Sequence, residues 1–197
     1  MALPCPPSPP PSQRGEGGAL LLWEQDEKHF QRRIGTGRER EAYVAYRLIA
    51  EGLEVSVPRL RVRPSFAERH AYRDTRDMMV EGHEIEIKST RFAFTDPGEF
   101  PYNPCFVDTE EKILAKGPPF AFLIVSQQTG AIMAVPGKTR DRWVVMEGRD
   151  HERGIGVRWL GCPIHLVRTF DEFVRHLESA HHELDQPGEG SDRHSKD

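Results

Sequence analysis

Apolar and polar positions change period along the chain, and the changes mark its elements. From Arg38 to Ala50 the pattern is helical: Glu41, Ala45 and Leu48 recur at i, i+4 and i+7 on one face, and Gly52 stands where a C-terminal cap belongs. Leu53 to Val57 alternates as a strand and stops at Pro58. Asp77 to Val80, then Glu81-Gly82, then His83 to Lys88 read as a hairpin with a two-residue turn. A short helix is expected over Asp108 to Lys116. Phe120 to Val125 is unbroken apolar sequence, as expected of a strand buried on both faces. Ala131 to Val135, Arg142 to Met146 and Ile164 to Val167 read as further strands, and Phe170 to Leu177 as a closing helix started by Thr169. Upstream, Leu20 to Arg33 reads as another helix, separated from the next by Gly35-Thr36-Gly37. This order predicts an α/β or α+β domain, a mixed central β-sheet flanked by helices.

The ends of the chain differ from its centre. Residues 1–18 are dominated by Pro, Ser and Gly, and the run Pro6 to Pro11 predicts a disordered tail with polyproline character. Residues 181–197 are polar and acidic and are expected to be a second disordered tail, which leaves 19–180 as the folded domain. No apolar run approaches the roughly 20 residues of a membrane span, and Ala19 to Trp23 is too short for a signal segment, so a cytoplasmic location is expected. Cys5, Cys105 and Cys162 suit neither a disulfide framework nor a zinc site.

Charge changes the picture once it is counted by segment. The chain carries a net −4, but residues 31–170 hold 22 Lys and Arg against 19 Asp and Glu. The acidity therefore sits in the tails. Between Arg59 and Arg76 there are six arginines against only Glu68 and Asp74, and Arg59, Arg61, Arg63, Arg73 and Arg76 form a candidate phosphate footprint. A solvated loop would have the same composition.

The hairpin carries the chemistry. Pairing Val80 with His83 across the turn sets Asp77 opposite Glu86, and side chains so placed have Cβ atoms about 4.5–5.5 Å apart on one face. Alternation puts Glu84, Glu86 and Lys88 on that face and Ile85 and Ile87 on the other, toward the core. Two close carboxylates repel, and a divalent cation relieves them. Mg²⁺ favours one or two carboxylates completed by water and phosphate oxygens. Glu41, on the helix face of Ala45 and Leu48, is a candidate fourth member at the rim. Asp74 competes with Asp77 as the first carboxylate, but the same register places it on the isoleucine face.

Asp77, a gap, and then Glu86-Ile87-Lys88 resemble the motif of the PD-(D/E)XK nuclease superfamily, which has the restriction-endonuclease-like fold. The segment Gly37 to Gly52 is similar to the first helix of its small resolvase-like members. The resemblance covers about Gly37 to Thr90. Arg76 stands where the motif often has proline. The resemblance implies that Asp77 and Glu86 bind Mg²⁺ (or Mn²⁺), helped by the backbone carbonyl of Ile87. It implies that Lys88 assists the attacking water, and that Glu41 completes the site. The expected function is a metal-dependent, endonucleolytic deoxyribonuclease, with DNA as partner and with specificity from a homodimer or a second protein. The alternative is a non-catalytic nucleic-acid-binding or assembly module on the same fold.

Other features add less. Ser89 and Thr90 end the hairpin strand near the site and are candidate phosphate contacts. Phe100, Tyr102 and Asn103 follow it in a loop that could wall a substrate groove, although packing is the commoner role for such rings. Gly35-Thr36-Gly37 lacks the strand and the Lys-Ser/Thr of a phosphate loop. His181 and His182 are adjacent and so do not share a helix face. No nucleophile triad or cofactor loop is evident.

Overall fold

A computed structural model of the chain describes residues 36–58, 77–150 and 155–184. All but 36 and 37 belong to one compact unit, Arg38–Arg61 with Asp74–Asp197. The expected helix at Leu20 to Arg33, the proline-rich tail, Asp74 and the arginines between Arg59 and Arg76 lie outside the described residues.

The first helix, α1, covers residues 36–50. It ends in a Schellman motif: the Gly52 N–H donates to Ile49 O at 2.9 Å and the Leu53 N–H to Leu48 O at 3.2 Å. Gly52 sits at φ +87°, a conformation that side chains disfavour, and Leu53 folds back into the core beside Leu48. Strand β1 (Val55–Ser56) follows, then β2 (Met78–Val80) and β3 (His83–Thr90). The turn between β2 and β3 has positive φ at both Glu81 and Gly82, the backbone of a two-residue hairpin that matches strand twist. A glutamate is unusual there. Glu81 is held by its neighbour: its N–H donates to Glu54 O, and its side-chain Oε1 accepts from the Glu54 N–H.

Beyond the hairpin come β4 (Cys105–Thr109), α2 (Glu110–Lys116), β5 (Ala121–Ser126) and β6 (Ile132–Pro136). They are followed by β7 (Val144–Asp150), β8 (Ile155–Cys162), β9 (Arg168–Thr169) and α3 (Phe170–Leu184). Six strands form a mixed sheet in the order β1-β2-β3-β5-β6-β9, in which β3 and β5 are parallel and the other pairs antiparallel. The fold is thus α/β with a mixed sheet. None of the described helices is long and apolar enough to cross a membrane.

The expectation of one sheet flanked by helices needs correction. A second, antiparallel sheet of order β4-β8-β7 stands apart from the first. The central strands β5 and β6 of the first sheet are buried on both faces. Ala121, Leu123 and Val125 join α1 and α3 in one cluster, whereas Phe122 and Ile124 join Cys105, Leu160 and Cys162 of the second sheet in another. Two local expectations also fail. Ile164 to Val167 is not a strand: Ile164–Leu166 is a 3-10 turn closed by i→i+3 bonds onto Pro163 O and Ile164 O. Residues Gly137–Arg142 form another 3-10 segment, so the strand expected from Arg142 starts at Val144. Helix α3 runs past its expected end at Leu177 to Leu184, so helix occupies the start of what reads as an acidic tail.

Candidate active site

The hairpin has the register that the sequence implies. Val80 pairs with His83, Met79 with Glu84 and Met78 with Ile85, and one further step sets Asp77 against Glu86. Met78, Val80 and Ile85 are fully buried against α1 and α3. Glu86 and Lys88 therefore face the opposite side, toward the second sheet. Lys88 Nζ lies 5.8 Å from the Phe122 ring centroid on that side.

Two groups absent from the sequence reading complete this face. Asp108 is the penultimate residue of β4 and, among the described residues, the one charged residue that is buried. A bulge at Val107 lies between the pairs Phe106–Gly161 and Asp108–Leu160, and such bulges re-aim the side chains that follow. Lys112 lies in the first turns of α2. Thr109 caps that helix by accepting from the Lys112 N–H, and Gly117 at φ +76° closes it. Asp108 and Lys112 are one helical turn apart. The signal that could have found them is this i, i+4 pair of opposite charge in the segment entering α2.

The four side chains form a closed ring of charge. Lys88 Nζ donates to Glu86 Oε1 and to Asp108 Oδ2, both at 2.9 Å. Lys112 Nζ bonds the same Glu86 oxygen and lies 2.9 Å from Asp108 Oδ2. Burial pushes the Glu86 and Asp108 carboxyls up, but the two ammoniums outweigh it and hold both below their ordinary values. Lys112 loses hydration on burial, yet its two carboxylate partners raise its proton affinity.

Asp77 has the opposite fate. Its Oδ2 accepts from the Ile87 N–H at 2.8 Å, but burial and then the neighbouring Glu86 charge raise its carboxyl above the ordinary value. Among the described residues, Asp77 Oδ1 and Glu86 Oε2 carry no hydrogen bond. Asp77, Glu86 and Asp108 against Lys88 and Lys112 leave one net negative charge.

Glu41 lies on α1. Helix α1 packs on the isoleucine face of the sheet, and the Glu41 carboxylate pairs with Arg38. Among the described residues, no three His, Cys, Asp or Glu side chains gather as a metal-holding group. Two carboxylates do suffice for Mg²⁺ when water and phosphate complete its shell. Asp77 and Glu86 are hard oxygen donors, each with one oxygen that accepts no hydrogen bond among the described residues, and burial together with the Glu86 charge raises the Asp77 carboxyl. They fit such a cation, with the Ile87 carbonyl beside them.

Ser89 and Thr90 continue β3 from the site. The Ser89 hydroxyl accepts from Gln127 Nε2 at 3.1 Å and the Thr90 hydroxyl from the Phe92 N–H at 3.3 Å. With Lys88 and Asp108 they line one part of a cleft of about 610 Å³ whose remaining walls are largely aromatic. The candidate phosphate contacts Arg59, Arg61, Arg63, Arg73 and Arg76 fall outside the described residues. No family model matches the chain, and no curated protein or solved structure matches it significantly.

Proposed function

We propose that the chain is a Mg²⁺-dependent nuclease that hydrolyses DNA phosphodiester bonds endonucleolytically, on a restriction-endonuclease-like fold. The observation that carries this reading is the pair Asp77 and Glu86. They are adjacent carboxylates on one face of the hairpin, each with an oxygen that accepts no hydrogen bond among the described residues, and Lys88 is the next residue of β3 on that face. The parallel pairing of β3 with β5 supports the fold assignment, because it makes the hairpin sheet mixed.

Asp77, Glu86 and the Ile87 carbonyl would hold the cation, which when bound supplies positive charge and Lewis acidity at the scissile phosphate. The residues of the chain do the rest. The Ile87 N–H fixes the Asp77 carboxylate, so that its other oxygen is presented in a set direction. Lys88 orients the attacking water and balances charge on the phosphate. Asp108 holds Lys88 in place, since both are anchored at 2.9 Å before substrate arrives. Lys112 adds a second cationic group at the same spot. Specificity then comes from DNA structure, self-association or a partner protein.

The test is nicking of supercoiled plasmid by the full-length protein. Cleavage in Mg²⁺ or Mn²⁺, absent in EDTA and lost in Asp77→Asn and Lys88→Ala, is the expected result. Cleavage that persists in EDTA, or in both variants, refutes it. A second reading is a nucleic-acid-binding module without catalysis. It is favoured by one observation: Glu86 Oε1 already carries both ammoniums. That reading predicts no calorimetric Mg²⁺ or Mn²⁺ binding that depends on Glu86.

A further inference from the structure

The cleft beside the charged ring has walls that the hydrolytic site does not require. Two groups of rings line it. Phe92, Phe100 and Tyr102 meet edge to face, with Phe92 5.0 Å from Tyr102 and 6.0 Å from Phe100. Phe106 and Trp159 form the other group, with centroids 4.3 Å apart. These are not simply core residues: Tyr102 is 55% exposed, Phe106 42% and Phe92 41%. Exposed rings of this size normally bury themselves, and a contiguous set marks a binding surface.

The walls are held in advance. Ser126 Oγ donates to Phe92 O, Thr129 Oγ1 to Phe94 O and Gln128 Nε2 to Arg91 O, which pins the segment carrying Phe92 to the β5–β6 turn. Further along, Glu99 accepts from both the N–H and the hydroxyl of Thr95. Asn103 Oδ1 accepts from the Ile164 N–H at 3.1 Å, so the loop is also tied to the 3-10 turn that follows β8. Rings fixed by three elements form a preorganised slot.

We propose that this slot receives an unpaired nucleobase, so that the substrate is single-stranded DNA or a DNA strand with a splayed-out base. The proposal rests on the nuclease reading of the adjoining site. The chemistry of the walls selects this occupant. Ring faces stack on any base and are sequence-tolerant. A cleft of about 610 Å³ falls in the range of pockets that enclose small molecules and has room for a nucleotide. Bases within a duplex have both faces covered by their neighbours and cannot enter. The polar part of the lining suits a strand backbone, since Lys88, Ser89 and Thr90 offer an ammonium and two hydroxyls to a phosphate. An apolar peptide would bring no negative charge to the Lys88 ammonium at the cleft.

The experiment measures fluorescence anisotropy of a labelled oligothymidylate and of a duplex of equal length. The full-length protein is used in EDTA, so that metal-dependent cleavage cannot occur. Single-stranded DNA is expected to bind more tightly than duplex. Tyr102→Ala and Phe92→Ala should each weaken that binding by about 5- to 100-fold, while Tyr102→Phe, which keeps the ring, stays close to the parent. Thermal melts report whether the alanine variants remain folded, and both side chains are exposed enough to be removed without opening the core. Equal binding of duplex and single strand, or single-strand binding untouched by loss of either ring, overturns the slot. So does cleavage of single-stranded DNA with an unchanged KM in Tyr102→Ala, a result that leaves the nuclease reading standing. Ring-dependent binding without cleavage in Mg²⁺ supports the slot and overturns the nuclease reading instead.

Discussion

Removing one ammonium from the charged ring tests whether its charges or merely its side chains matter. Lys112→Met keeps most of the stem and deletes the charge that bridges Glu86 and Asp108. At an effective dielectric constant of about 20, one such contact is worth roughly 4–6 kcal/mol of gross attraction. Desolvation and side-chain ordering cancel most of it, and the Lys112 side chain is 36% exposed, which screens it further. Lys88 also remains on both carboxylates. The net loss is about 1–2 kcal/mol, and for a domain of this size that lowers Tm by about 2–8 °C.

The pH dependence of that loss has a definite sign. Glu86 and Asp108 are held below their ordinary values in the fold. Their contribution is therefore complete above the unfolded carboxylate range, and it disappears as pH falls through the lowered values. Melting followed by circular dichroism should show the full gap between parent and Lys112→Met near neutrality, closing below about pH 4. A gap that keeps its full size well below that pH would refute the electrostatic account and assign Lys112 to packing of its stem. The same variant bears on the cation. Lys112 competes for the Glu86 oxygen, so its removal should tighten Mn²⁺ binding measured by calorimetry, and unchanged affinity would mean that Glu86 is not a ligand.

Other consequences are more direct. Asp77 is raised by burial and by Glu86, so its ionisation costs the fold stability as pH rises from the ordinary aspartate range through the raised value. Asp77→Asn should accordingly melt no lower than the parent at pH 8 while losing divalent binding, and parent cleavage should climb with pH through that same raised value. A Cβ on Gly137 would stand 1.8 Å from Pro119 O, a backbone atom that cannot swing away. Gly137→Ala should destabilise by about 2–3 kcal/mol in denaturant titration. Burial pushes the Cys105 thiol up to about 12 and that of Cys162 up to about 11. Neither should react with a thiol reagent at pH 8 until the chain is unfolded, as read by mass after alkylation.

Much of the first sheet was legible because its signals are local. Glu81-Gly82 fixed a turn, the turn fixed the register, and alternation then divided Glu86 and Lys88 from Ile85 and Ile87. The apolar run at β5 announced a strand buried on both faces, and both faces are indeed covered. The second sheet was not legible. Strand β8 is interrupted by Gly156 and Gly161, and its outward side carries Arg158, so neither alternation nor an apolar run stands out. Gly161 is needed where a side chain would collide with Pro104 and Met146, a demand set by a strand distant in sequence. In the site, Asp77, Glu86 and Lys88 could be grouped from one hairpin. Asp108 and Lys112 could not, because their approach to Glu86 depends on how β4 and α2 meet the first sheet.

That meeting is what gives the hairpin its chemistry. Two carboxylates opposite each other on a solvated hairpin would both ionise near their ordinary values and differ little. Here the surroundings push them apart. Asp77 is buried with a single N–H for support and is raised, while Glu86, a strand away, is drawn down by two ammoniums that α2 and β3 supply. Carboxylates split in this way have separable roles, since one is short of positive charge and the other is already balanced. The open oxygens face the first need, and the lysines are positive groups held next to the place where a phosphate would bring negative charge. The aromatic walls extend the same logic, because Phe106 stands two residues before Asp108 on β4 and Phe92 four residues after Lys88. The packing of the second sheet against the first thus sets both the charge pattern and the cleft that adjoins it.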